Sequence, residues 1–139
     1  MNQAYARQAA AMYQQYSARA GVEDADAHQL VSMLLDGAID RMAQACGHIR
    51  HGDVAGKGNS ISRTVAIIGQ LRMSLDHEAG GALADRLEAL YEYVTRRLIH
   101  AQLHDDVAAL EECIRLLSPV REGWKGIRGE YLAGRAVGS

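Results

Sequence analysis

Apolar residues recur at three- and four-residue spacing along almost the whole chain, and no segment sustains the alternation of a strand. The pattern predicts an N-terminal helical arm followed by four long helices. In the arm, Tyr5, Ala9, Met12, Tyr13 and Tyr16 fall at helical spacing, and Gly21 to Ala25 reads as a hinge. The first bundle helix opens at Asp26, whose carboxylate can accept from free N–H groups, and Gln29 completes an Asp-type capping box. Its stripe is Val31, Leu34, Leu35, Ala38, Met42, Ala45, Cys46 and Ile49. Leu30, Met33, Ile39 and Ala43 widen that stripe beyond one bundle seam. His51-Gly52 closes the helix, with Gly52 suited to a left-handed cap.

The second helix has Asp53 as a cap, but Gly56, Gly58 and Asn59 disfavour helix, so its secure part is Ile61, Val65, Ile68, Leu71 and Leu75. Asp76 to Gly81 reads as a turn. The third helix carries Leu83, Leu87, Leu90, Val94, Leu98 and Ala101, flanked by Tyr91 and Tyr93. His104-Asp105-Asp106 closes it and caps the fourth, which carries Val107, Leu110, Cys113, Ile114 and Leu117. Pro119 lacks an amide donor, so a kink or break is expected there. Val120, Trp124 and Ile127 keep the period, while Gly123, Gly126, Gly129 and Gly134 predict a frayed end. Helices of ~20–25 residues span on the order of 30–37 Å, and short connections make neighbours antiparallel. The expected fold is all-α, an antiparallel up-down-up-down four-helix bundle with an extra N-terminal helical arm. Its parts are an arm and hinge over 1–25, a bundle over 26–128 and a frayed tail over 129–139.

The chain has 139 residues, the size of one domain with a core that needs no staples. Lys and Arg number 15 against 17 Asp and Glu, a formal net charge of -2. That argues against nucleic acid as a partner and against charge-driven membrane binding. One proline and 48% hydrophobic residues exclude disorder as the dominant state. Six Tyr, one Trp and no Phe make the core mainly aliphatic. Cys46 and Cys113 provide neither a disulfide framework nor a zinc quartet. With no basic and apolar leader and no membrane-length apolar run, the expectation is a reduced, cytosolic, soluble protein.

Catalytic constellations are missing from the sequence. A di-iron bundle needs Glu-x-x-His on two helices, and no Glu here is followed three residues later by His. His100 and His104 have a spacing that can grip a metal, with Asp105 and Asp106 beside them, but solvated residues at a helix C-terminus are the plainer reading. His48 and His51 are read the same way, His28 as an exposed first-turn residue and His77 as a turn residue. The cysteines lie on apolar stripes as inert thiols. Gly56-Lys57-Gly58 lacks the strand and hydroxyl residue of a phosphate loop. The expectation is therefore no enzyme, no cofactor and no metal. The remaining signal is interaction. The wide apolar face of the first helix is either covered permanently by the arm or kept for a partner. Met33, Met42 and Met73 are the adaptable side chains found where amphipathic helices are accepted.

Three stretches then carry a family resemblance. Met73-Ser-Leu-Asp-His-Glu-Ala-Gly-Gly81 with Leu87-Glu-Ala-Leu-Tyr-Glu-Tyr-Val-Thr-Arg-Arg-Leu98 closely resembles the middle of the FliS family of flagellar export chaperones. Gln29-Leu-Val-Ser-Met-Leu-Leu-Asp-Gly-Ala-Ile39 looks like that family's first-helix signature. The chain departs from the family in Asp26-Ala27 for Ser-Pro, Leu35 for Tyr, the glycines at 56 and 58, and Pro119. The resemblance implies a cytosolic chaperone that binds the disordered C-terminal segment of flagellin one to one, blocks premature polymerisation and delivers it to the flagellar export gate. The implied contacts lie across the first three helices, at Leu30, Met33, Met73, Tyr91 and Tyr93, with Asp36 and Arg97 as polar candidates. Tyr5, Tyr13 and Tyr16 belong to the arm that covers the groove when the partner is absent. The free protein is expected to be a monomer or weak homodimer. A self-associating helical adaptor and a metal enzyme using His100 and His104 are the alternative classes.

Overall fold

A computed structural model describes the backbone of residues 26–138 and the side chains of residues 26–134. The expected tyrosine arm, with Tyr5, Tyr13 and Tyr16, lies outside the described residues. Five helices follow in order: α1 (Ala27–Arg50), α2 (Val54–Met73), α3 (His77–His104), α4 (Val107–Gly126) and α5 (Arg128–Gly138). The described residues contain no strand. Helix α1 packs on α2 and α4, and α3 packs on the same two, so α1 and α3 sit diagonally across an antiparallel bundle. The shared seam is aliphatic. It is filled by Val31, Leu35, Ala38 and Met42 from α1, Ile61, Ile68 and Leu71 from α2, Val94 and Leu98 from α3, and Leu110, Cys113 and Leu117 from α4.

Four aspartates start the four long helices. Asp26 accepts from the Gln29 N–H at 2.8 Å, and the Gln29 side chain accepts from the Asp26 N–H at 3.1 Å, closing the expected capping box. Asp53, Asp76 and Asp106 accept from the amides of Gly56, Ala79 and Ala109 at 2.9, 3.0 and 3.2 Å. Each satisfies a first-turn donor that the helix itself cannot pair. Gly52 adopts the left-handed conformation foreseen for it, with φ 69°.

Three expectations are corrected. Helix α2 has no weak start, because its glycine-bearing first turn is held by tertiary contacts. Lys57 is buried, and its Nζ donates to Asp105 Oδ1 at 2.6 Å and to the Gln102 carbonyl at 3.2 Å. His48 packs so close that a Cβ on Gly56 would lie 2.5 Å from both His48 Nδ1 and Asp53 Oδ2. The turn before α3 ends at Asp76 rather than Gly81. One helical turn forms first, and the break falls inside α3 at Gly81, with φ 54° and ψ -134°. Helix α4 continues through Pro119. Pro119 itself is exposed, while Leu117 and Trp124 on either side of it are buried. After Ile127, which is buried, the chain runs on as α5, with Tyr131 buried in its first turn.

Gly81 occupies a backbone region that side-chain-bearing residues reach only with strain. Gly81→Ala is expected to lower stability by about 1–3 kcal/mol, read as a shifted urea midpoint. An unchanged midpoint would show that the α3 break is dispensable.

Candidate functional site

The residues expected to meet a partner separate into three groups. Met33 and Met73 are open, 64% and 73% exposed. Leu30 is half-buried. Leu30, Met33 and Gly37 follow at three- and four-residue steps, so they share one face of α1. A Cβ on Gly37 would stand 3.5 Å from Ile67 Cδ1 of α2, an ordinary van der Waals contact between the two helices. Met73 lies at the C-terminal end of α2, with a cavity of about 440 Å³ lined also by Gly69, Arg72, Leu75, His77 and Glu88.

The second group is polar and already engaged. Asp36 meets Lys125 Nζ at 3.0 Å and Arg121 Nε at 3.9 Å, joining α1 to α4. The Glu112 carboxylate of α4 accepts from Tyr93 Oη at 2.8 Å and from Arg97 Nε at 2.9 Å, joining α3 to α4. The Tyr93 bond, then the Arg97 bond, holds the Glu112 carboxyl below the usual carboxylate range, and Glu112 in turn raises the Tyr93 phenol. The third group is Tyr91 alone. It has no exposed surface and belongs to the core cluster, so its expected role as a surface contact is corrected. Positions 91, 94, 98 and 101 repeat at three and four residues, which places Tyr91 on the stripe itself rather than beside it.

Nothing in the described residues assembles chemistry. Burial pushes the Cys113 thiol up to about 12, and Cys46 is raised by the same cause, so neither supplies a thiolate near neutral pH. His100 Nε2 stands 3.1 Å from the capping carboxylate of Asp106, and the His100 and His104 rings lie 4.6 Å apart. Among the described residues no group of three His, Cys, Asp or Glu side chains could hold a metal ion. No helix among them is long and apolar enough to cross a membrane.

Comparison with known proteins identifies relatives along most of the chain. The family model described as Flagellar protein FliS matches residues 9–131. The flagellar secretion chaperone FliSB of Pseudomonas aeruginosa is 43% identical over 123 residues, 88% of this chain and 98% of that protein. The flagellar secretion chaperone FliS of Salmonella typhimurium is 42% identical over 116 residues, covering 83% of this chain and 86% of its own. In Bacillus subtilis the flagellar secretion chaperone FliS is 28% identical over 113 residues, 81% of this chain and 80% of that one. The chain belongs to the FliS family. As a FliS-family bundle it keeps its core closed while leaving large apolar side chains outside.

Sequence reasoning missed some of those side chains. Ile99 and Leu103, four apart on α3, are exposed, as are Val54 at the start of α2 and Leu116 on α4. Ile99 and Leu103 carry a signal that was available: they sit one and two positions past the 94/98/101 stripe on a solvent-facing side. Also missed was the cluster of buried His28, Trp124 and Tyr131 with half-buried Arg128, which no local pattern announces.

Tyr91→Ala is expected to cost about 3–5 kcal/mol through the cavity it leaves. Met33→Ala should stay within about 0.5 kcal/mol. Urea denaturation of the two variants separates them, and equal midpoints would contradict the burial assignment.

Proposed function

We propose that this FliS-family chain is a flagellar secretion chaperone whose client is the disordered C-terminal segment of flagellin. It holds that segment one to one in the cytosol, keeps it from packing against other flagellin copies and presents it to the flagellar export gate. The observation that carries this reading is the set of large apolar side chains left outside a finished core, Met33, Met73, Ile99 and Leu103. The names of the relatives support the chaperone role. A chaperone needs no catalytic group, which fits the engaged histidines and inert thiols described above.

The proposed mechanism is coupled folding and binding. A client segment without its own core loses ordering entropy when it settles on the bundle, and burial of its apolar residues offsets that loss. Leu30, Met33 and Met73 supply contact on α1 and α2. Tyr93, Asp36 and Arg97 flank the route as polar residues whose inter-helix bonds stay in place. Tyr5, Tyr13 and Tyr16 of the arm compete for the same apolar surface in the free protein.

The test is titration of the full chain with its own organism's flagellin C-terminal peptide, followed by calorimetry and by the peptide's gain of order. A saturable one-to-one complex is expected. Met33→Ala should weaken it by about 1 kcal/mol or more, roughly fivefold in Kd, with the melting temperature unchanged. A peptide that stays disordered and unbound sinks the client assignment. Growth of the free protein's mass with concentration, without peptide binding, favours the self-associating adaptor instead.

A second expectation concerns the arm. Deleting residues 1–20 should leave a folded bundle that binds the peptide at least as tightly. Loss of helicity in circular dichroism on that deletion would rule out a displaceable cover.

A further inference from the structure

His28 was expected on the surface, yet it is 2% exposed and fully engaged. Its Nε2 lies 2.6 Å from the Trp124 carbonyl oxygen, and its Nδ1 lies 3.1 Å from Arg128 Nη1. A carbonyl only accepts and a guanidinium only donates, so these partners fix the ring as the neutral tautomer with the proton on Nε2. Trp124 answers by donating from Nε1 to the His28 carbonyl at 3.0 Å. The two rings stack with centroids 4.8 Å apart and planes 12° off parallel, and the Tyr131 ring covers His28 from 5.4 Å. Arg128 completes the corner with two bonds to the Asp26 carboxylate, at 3.0 and 3.2 Å. The cluster thus ties the first turn of α1 to the end of α4 and the first turn of α5.

We infer that His28 is a proton-sensitive latch: a proton taken at Nδ1 removes the acceptor of Arg128, sets two cations face to face and releases α5 from the start of α1. The charged and titratable groups facing the ring among the described residues are Asp26 from α1 and Arg128 and Tyr131 from α5. From α4 comes the Trp124 carbonyl, while neighbouring Lys125 is drawn to Asp36. Burial lowers His28 below its ordinary value of 6.5. The Trp124 carbonyl opposes that, Arg128 adds to it, and Asp26 opposes it more weakly. The sign follows. The unfolded chain takes up this proton before the folded one does, so the latch contributes fully above about pH 6.5. Its contribution is lost as pH falls from there toward the folded value. The latch sits where residues 1–25 join the bundle, so its opening loosens both the root of that segment and the last helix. It does not depend on the identity of the client.

The chain has a single tryptophan, Trp124, which makes the latch observable. Between pH 8 and 5 the full protein should show a change in Trp124 emission and faster amide exchange in α5, while far-UV helicity of the bundle persists. Both should follow the NMR titration of the His28 ring, with a midpoint below 6.5. His28→Gln keeps a donor for the Trp124 carbonyl and cannot titrate, so its emission and exchange should be flat over that range. The inference is overturned if the wild-type transition persists in His28→Gln, if the His28 ring titrates while Trp124 and α5 do not respond, or if the whole bundle unfolds in one step. Should the variant fail to fold, coincidence of the ring, emission and exchange midpoints in the wild type decides the matter.

Discussion

Four helices that each carry one aliphatic stripe can hide all four only by closing into a ring, and the cycle α1–α2–α3–α4 is that closure. Each stripe faces two neighbours, so no helix can leave without exposing residues on both. The seam is built mainly from Leu, Ile, Val, Met and Ala, with Tyr91 and Trp124 as its large aromatics. Burial of such side chains is worth about 1.5–3 kcal/mol each, far more than any one surface contact here. Everything else is arranged around that seam: the aspartate caps turn the chain at its ends, and the polar pairs line its edges.

Those edge pairs select register more than they supply stability. The exposed ones among them contribute about 0–1 kcal/mol each. Arg72 with Glu88 fixes α2 against α3 at one end, at 2.8 Å, and Lys57 with Asp105 fixes it at the other, at 2.6 Å. Asp36 with Lys125 and Arg97 with Glu112 do the same for α4 against α1 and α3. The consequence for recognition is a division of labour. Polar candidates read from the sequence are spent on the fold itself, and the side chains left uncommitted are the apolar ones outside the seam.

The division between what was legible and what was not follows the range of the interaction. Helix caps at Asp26, Asp53 and Asp106 are set within three residues, so the sequence displays them. The stripes of α1 to α4 repeat every three or four residues and are legible for the same reason. The first turn of α2 was misread because Lys57 is held by residues 45 and 48 positions away. His28 was misread because its partner Trp124 lies 96 positions away. Pro119 disfavours a helix interior, yet α4 continues through it between buried Leu117 and Trp124. Tyr91 shows the limit at the proposed site: a tyrosine one step from the stripe and one on it differ by 100° of helix, and family likeness does not separate them. Met33 and Met73 were legible as adaptable residues, whereas their exposure required the packed bundle.

The placement of the open apolar residues also constrains what can lie on them. Met33 is on the outer face of α1, Met73 is at the end of α2 beside a shallow cavity, and Ile99 and Leu103 are on the outer side of α3. These residues belong to three different helices of the bundle. A chain without a core of its own can follow from α1 across α2 to α3 and bury all of them in turn. In the binding mode proposed above each contact would be modest, so affinity would come from their number and be reduced by the ordering cost. Methionine at two of the stations adds tolerance, because an unbranched thioether side chain adjusts to whatever apolar group arrives. Adaptable apolar side chains left outside a closed bundle are what the client proposed above, a chain with no core of its own, would need.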